Sequence, residues 1–133
     1  IFCQCIIGRG ASFGRRFVII HSQGIVINGS VKAGDDIKLE HQVTIGAERN
    51  ISPELGSDIF IGAGARIIGG IQLGSHSKVG ANAVVVKNVD SYTTVGGIPA
   101  RVIKIHHENQ PVQQIEVNQA ELPYKQFQKG SPL

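Results

Sequence analysis

Five histidines occur in the chain, and two lie in surroundings that invite chemistry: His21 in "IIHSQGIVIN" and His41 in "EHQVTIG". Imidazole has an unperturbed pKa near 6.5, so a well-placed histidine can take a proton from a weak nucleophile at neutral pH. His21 stands in an otherwise apolar run, which also fits a core residue satisfied at a turn. His76 lies in "LGSHSK", and His106 and His107 form a pair outside any motif. The other metal-capable pair is Cys3 and Cys5. Their spacing could contact a metal, but free cysteine most often behaves as a small buried hydrophobe, and that reading is preferred.

Bulk properties narrow the classes. The 133 residues suit one compact domain. A net charge of +3 is too small to argue for nucleic acid, although local Lys and Arg could hold a phosphate. No apolar run approaches a membrane span, and no signal peptide is visible. Two cysteines make no disulfide framework, so a reducing cytosol is the expected compartment. The chain starts at Ile1 rather than Met, and further sequence is expected upstream. Hydrophobic residues make up 41% but aromatics only 5%, so the core must be built from Ile, Val, Leu and Ala.

The elements that position the histidines follow from a repeat. Every sixth residue from Ile1 to Val85 is apolar in fourteen of fifteen cases, the exception being Arg49. Composition alone would give about six. The position three residues later is Gly or Asn in eight of fifteen cases, and these types tolerate positive φ. A period of six fits neither a helix nor one continuous strand. The chain must turn every six residues and send an aliphatic side chain inward each time. Three such hexads close a triangular coil, and successive coils stack as parallel strands at about 4.8 Å. Residues 1–90 thus form a parallel β-helix of about five coils, with residues 49–54 as a loop occupying one repeat. The frame is expected to stop at Ser91, with 91–105 a closing turn and segment and 106–133 a partly ordered C-terminal extension.

With coils of eighteen residues, the hexad at Ile37 stacks on that at Ile19 and brings His41 near His21. His76 falls three coils away, roughly 14 Å along the axis. That distance argues against a zinc site built from His21, His41 and His76, since ligand nitrogens lie about 2 Å from the metal. His76 is read as a corner residue, and no metal is expected.

The hexads "IGAGAR", "LGSHSK" and "VGANAV" resemble those of hexapeptide-repeat acyltransferases. The stretches "HSQGIVIN", "VTIG", "SPEL", "IFIGAGARIIGGI" and "GGIPARVIK" resemble the serine acetyltransferase branch in particular. The resemblance implies an all-β, left-handed parallel β-helix assembled as a homotrimer, with acetyl-CoA as acyl donor. It implies that His21 is the general base, and His41 is a candidate to orient the acceptor or share proton transfer. For the donor it points to Ala63 and Ala81, whose small side chains admit the pantetheine arm, and to Val86, Lys87, Arg101 and Lys104. The three cations among these suit the phosphates of CoA.

Departures from the branch bear on the acceptor. Its members carry an acid fifteen residues before the histidine and another directly before it; here those places are Ile6 and Ile20. Their loop histidine is Ser52, and the terminal Ile that docks cysteine synthase is missing from "SPL". The reading put first is therefore an O-acetyltransferase acting on a hydroxyl of a sugar or surface-polysaccharide precursor. Serine is the alternative acceptor, and a catalytically silent trimeric scaffold is the alternative of another class.

Overall fold

A computed structural model describes residues 4–107. They form fourteen short strands and no helix. The repeat closes into a three-sided parallel β-helix. One side stacks β1 (Cys5–Ile7), β3 (Ile25–Ile27), β6 (Thr44–Gly46), β9 (Arg66–Ile68) and β12 (Val84–Val85). The second stacks β4 (Lys32–Ala33), β7 (Glu54–Leu55) and β10 (Gln72–Leu73). The third begins with β2 (Val18–Ile19), β5 (Ile37–Leu39), β8 (Ile59–Ile61) and β11 (Lys78–Val79). It continues into β13 (Thr93–Gly96) and ends on β14 (Arg101–Ile105), which pairs antiparallel.

Each strand is too short to stand alone, so stability comes from stacking. Backbone N–H groups in and just after the strands donate to carbonyls one coil on, as Ile20 does to Leu39 (2.8 Å) and Gly56 to Leu73 (2.8 Å). Inside, fully buried Ile27, Ile45, Ile67 and Val85 form one aliphatic column, with Leu39, Ile61 and Val79 in another. Burying one such side chain contributes roughly 1.5–3 kcal/mol, which is how a core with so few aromatics is held together. Cys5 is half-buried at the first coil and Cys3 lies outside the described residues.

The coils are not uniformly eighteen residues long, and this corrects the expected stacking. Val18 pairs with Lys38, twenty residues on; Val26 with Thr44, eighteen; Ile37 with Ile59, twenty-two; Lys78 with Thr94, sixteen. Leu39, rather than Ile37, therefore stacks on Ile19. The longest coil carries an excursion shorter than the expected loop over 49–54. Glu48 and Ile51 exchange backbone hydrogen bonds of 3.0 and 2.9 Å around Arg49 and Asn50, both at positive φ. That tight two-residue turn adds four residues, and the chain is back in a strand by Glu54.

These insertions escaped the simple period because each hexad turns two residues inward, two positions apart. Between the two long coils the buried pairs include Ile25/Ile27, Ile37/Leu39 and Val43/Ile45. After the excursion they are Ile59/Ile61, Ala65/Ile67, Ile71/Leu73 and Ala83/Val85. One residue in six therefore stays apolar even though the phase has moved. Nor does the coil stop at Ser91: Thr93 and Val95 are buried, and β13 stacks on β11. The extension expected from residue 106 lies, beyond His107, outside the described residues.

Candidate active site

The third side of the prism positions the candidate residues. Ile19, Leu39, Ile61 and Val79 stack in register at the ends of β2, β5, β8 and β11. The chain turns the same corner after each of them. His21, His41, Ala63 and Ala81 thus fall along one edge, on successive coils. Backbone hydrogen bonds hold the corners together: Gln42 to Gln23 (2.7 Å), Gly64 to His41 (3.0 Å) and Asn82 to Ala63 (2.8 Å).

Close approach at this edge depends on glycine. A Cβ on Gly62 would meet the backbone nitrogen of Ala81 at 2.7 Å. Gly64 sits at φ +74°, where a side chain would also collide with Asn82. The Arg66 guanidinium donates to the carbonyls of Gln42 and Gly64, tying the corner beside His41 to that beside Ala63.

The first corner is two residues longer than the one above it: eight residues separate Val18 from Val26, but six separate their partners Lys38 and Thr44. The extra length falls at His21 and Ser22. His21 is left 68% exposed and His41 45%, so neither is a core histidine. Their rings meet edge to face at 5.8 Å.

Between them lies Glu40, absent from the sequence-level candidates. Its Oε2 is 2.9 Å from His21 Nδ1 and 3.7 Å from His41 Nδ1. The hydrogen bond from His21 is the largest cause holding the Glu40 carboxyl below its ordinary pKa. An ionised carboxylate only accepts, so this bond requires the proton on His21 Nδ1. In the neutral ring Nε2 then keeps its lone pair, the arrangement a general base needs. The longer corner makes the register twenty and sets Glu40 beside Ile20. Counting two inward residues per hexad would have exposed it, since Ile19 to Ile27 spans eight positions and Leu39 to Ile45 only six.

His21, Glu40 and His41 are also three metal-capable donors whose ligand atoms all lie within 4.8 Å of one another. His76 belongs to a different corner. It precedes β11, in a column with Arg16, Asp36, Asp58 and Tyr92, all at positive φ. There its Nδ1 is 2.7 Å from Asp58 Oδ2, and its ring stacks on Tyr92 at 4.6 Å.

The remaining donor candidates gather at the far end. Val86, Lys87 and Arg101 line a cleft of about 420 Å³, together with Pro99, Ala100 and Val102. Lys104 is not among the residues lining the cleft; it lies opposite Thr94 on β13. Among the described residues no helix is long and apolar enough to cross a membrane. Ile6 and Ile20, where the family pattern calls for acids, are 65% and 42% exposed. Ser52 donates from Oγ to Asn28 Oδ1 (2.8 Å).

Comparison with known proteins agrees with this architecture. The family model described as bacterial transferase hexapeptide (six repeats) matches residues 52–87. A serine acetyltransferase of Mycobacterium tuberculosis is 42% identical over 98 residues, covering 71% of this chain and 43% of that protein. One of Staphylococcus aureus strain Mu50 is 39% identical over 99 residues, covering 71% and 46%. The crystal structure of Brucella abortus serine acetyltransferase in complex with coenzyme A superposes with a TM-score of 0.75 at 34% identity, covering 78% of this chain and 43% of that one. The chain thus spans somewhat under half the length of the relatives it matches. On repeat, fold and kinship together, it belongs to the hexapeptide-repeat acyltransferase family, in the serine acetyltransferase-like branch.

Proposed function

We propose that this chain carries the transfer site of an acetyl-CoA-dependent O-acetyltransferase, with His21 as general base and L-serine as the first acceptor to test. The observation that carries the reading is the exposed His21–Glu40 pair (2.9 Å), on the same edge as the small residues Ala63 and Ala81. Nε2 of His21 takes the proton of the acceptor hydroxyl as its oxygen attacks the thioester carbonyl. The tetrahedral adduct then collapses, the C–S bond breaks, and the proton leaves with the CoA thiol. His41, within ring contact of His21, orients the acceptor. Ala63 and Ala81 leave room for the pantetheine arm, while Lys87 and Arg101, with Lys104 nearby on β14, hold the phosphates. Kinship with an enzyme crystallised with coenzyme A supports this donor.

A homotrimer belongs to the reading, with the donor groove between neighbouring β-helices. The exposed apolar residues of β14, Val102, Ile103 and Ile105, suit a covered face. The cytoplasm is the compartment in this reading. The departures within the sequence favour a sugar hydroxyl, whereas the relatives described above, named serine acetyltransferases, favour serine. Serine therefore stands first. The sugar reading keeps one supporting observation: apolar Ile6 and Ile20 are exposed where carboxylates would serve an amino acid acceptor.

The test is free thiol release from acetyl-CoA with L-serine and with a panel of sugars and glycans. Release with serine supports the first reading, and release with a sugar alone moves the acceptor to the second. No release with any acceptor, together with no CoA binding, would leave the fold as a scaffold.

A further inference from the structure

We infer that His21, Glu40 and His41 form a capture site for a borderline transition-metal dication, Zn²⁺ in the first instance, and that its occupancy switches the base off. The donors are two imidazole nitrogens and one carboxylate oxygen, the set that binds Zn²⁺ at about 2.0–2.2 Å. Tetrahedral ligands at that radius are about 3.3 Å apart. The contacts to Glu40 Oε2, 2.9 Å from His21 and 3.7 Å from His41, straddle that value, and the whole set lies within 4.8 Å. Small rotations of two exposed rings close the remaining gap. Two neighbouring coils supply all three ligands from one chain, and the fourth position stays open to solvent.

The consequence follows from imidazole chemistry. With Glu40 as partner, His21 carries its proton on Nδ1 and offers Nε2 as base. A metal on Nδ1 forces the proton of the neutral ring onto Nε2, so the lone pair that would take the acceptor's proton is gone. The Nδ1–H bond breaks as the metal takes that nitrogen, and an Nε2–H bond forms, the proton passing through solvent, so the ring changes tautomer without a change in its charge. A hard oxygen-seeking ion such as Mg²⁺ is poorly served by two imidazoles. The switch rests on the transferase reading, whereas occupancy does not, because it is measured with no acyl donor present.

The test is calorimetric titration of the whole chain with Zn²⁺, paired with the visible spectrum on adding Co²⁺. Wild type is expected to bind one Zn²⁺ per chain and to develop a Co²⁺ absorption band. His41→Ala and Glu40→Gln should each weaken Zn²⁺ binding at least tenfold and abolish the band, with Mg²⁺ giving no heat. Circular dichroism on the variants establishes that the coil is intact. No saturable Zn²⁺ binding to wild type would overturn the inference. Binding that both folded variants retain at unchanged affinity would overturn it equally, by putting the metal elsewhere.

Discussion

Glu40 Oε2 and His21 Nδ1 meet at 2.9 Å although they stand nineteen positions apart in the chain, because Leu39 pairs with Ile19 on the neighbouring coil and so sets Glu40 beside Ile20. The pair gives His21 an acidic partner in a chain where the positions expected to supply one, Ile6 and Ile20, are aliphatic.

Replacing Glu40 by Gln keeps the shape and removes the charge. Transferase kcat is expected to fall about 10- to 100-fold, since the partner selects the tautomer and steadies the imidazolium. The KM for acetyl-CoA should stay within twofold. Steady-state kinetics with the donor varied separates these quantities, and a change confined to KM would remove Glu40 from the proton path.

Lys87 and Arg101 line the cleft at the end of the coil. If they hold the CoA phosphates as proposed, truncating either to Ala removes a charge-assisted contact of about 1.5 kcal/mol or more. The KM for acetyl-CoA should rise about tenfold with little change in kcat. Dephospho-CoA competition in the same assay would tell which cation meets the 3′-phosphate.

Acid should loosen the first coils before the last. Asp35 is held below its ordinary pKa chiefly by the Arg15 N–H, Asp36 by the Arg16 guanidinium and Glu40 by His21. For a carboxyl depressed on folding, the stabilisation is present above its unfolded pKa, near 4, and is lost as pH falls through the lower folded value. Thermal melts between pH 6 and about 3 should show Tm falling below about pH 4. Asp36→Asn should flatten that slope; an unchanged slope would mean that the exposed pair contributes nothing.

Ser77 is fully buried between Ile59 and Thr93, and its Oγ has no partner among the described residues. Ser77→Ala removes an unsatisfied hydroxyl at almost constant volume and should stabilise the coil by about 1 kcal/mol. Ile67→Ala in the neighbouring column should cost about 2–5 kcal/mol. Urea unfolding of the two variants measures both, and destabilisation by Ser77→Ala would mean that the hydroxyl is satisfied in solution.

The period of six made the prism legible because every coil needs an inward aliphatic residue whatever else it carries. What the period concealed was length. Two inward positions per hexad keep the frame apolar through insertions of two and four residues, so the loop at Arg49 and Asn50 looked like a whole repeat. The register of twenty stacks Glu40 on Ile20, beside His21, but a pattern of apolar residues says nothing of which polar side chain on the next coil turns toward an imidazole. His41 was legible because it lies close to His21 in either register. The corner of His76 was not, since a bare period cannot say which of three corners a residue turns.

The most direct test of the central claim is acetyl-CoA turnover, read as thiol release, by His21→Ala beside wild type with the best acceptor. The variant should bind CoA as wild type does and lose about 10²- to 10⁴-fold in kcat. A folded His21→Ala protein that turns over at the wild-type rate would contradict the assignment of the base, and with it the role given to Glu40.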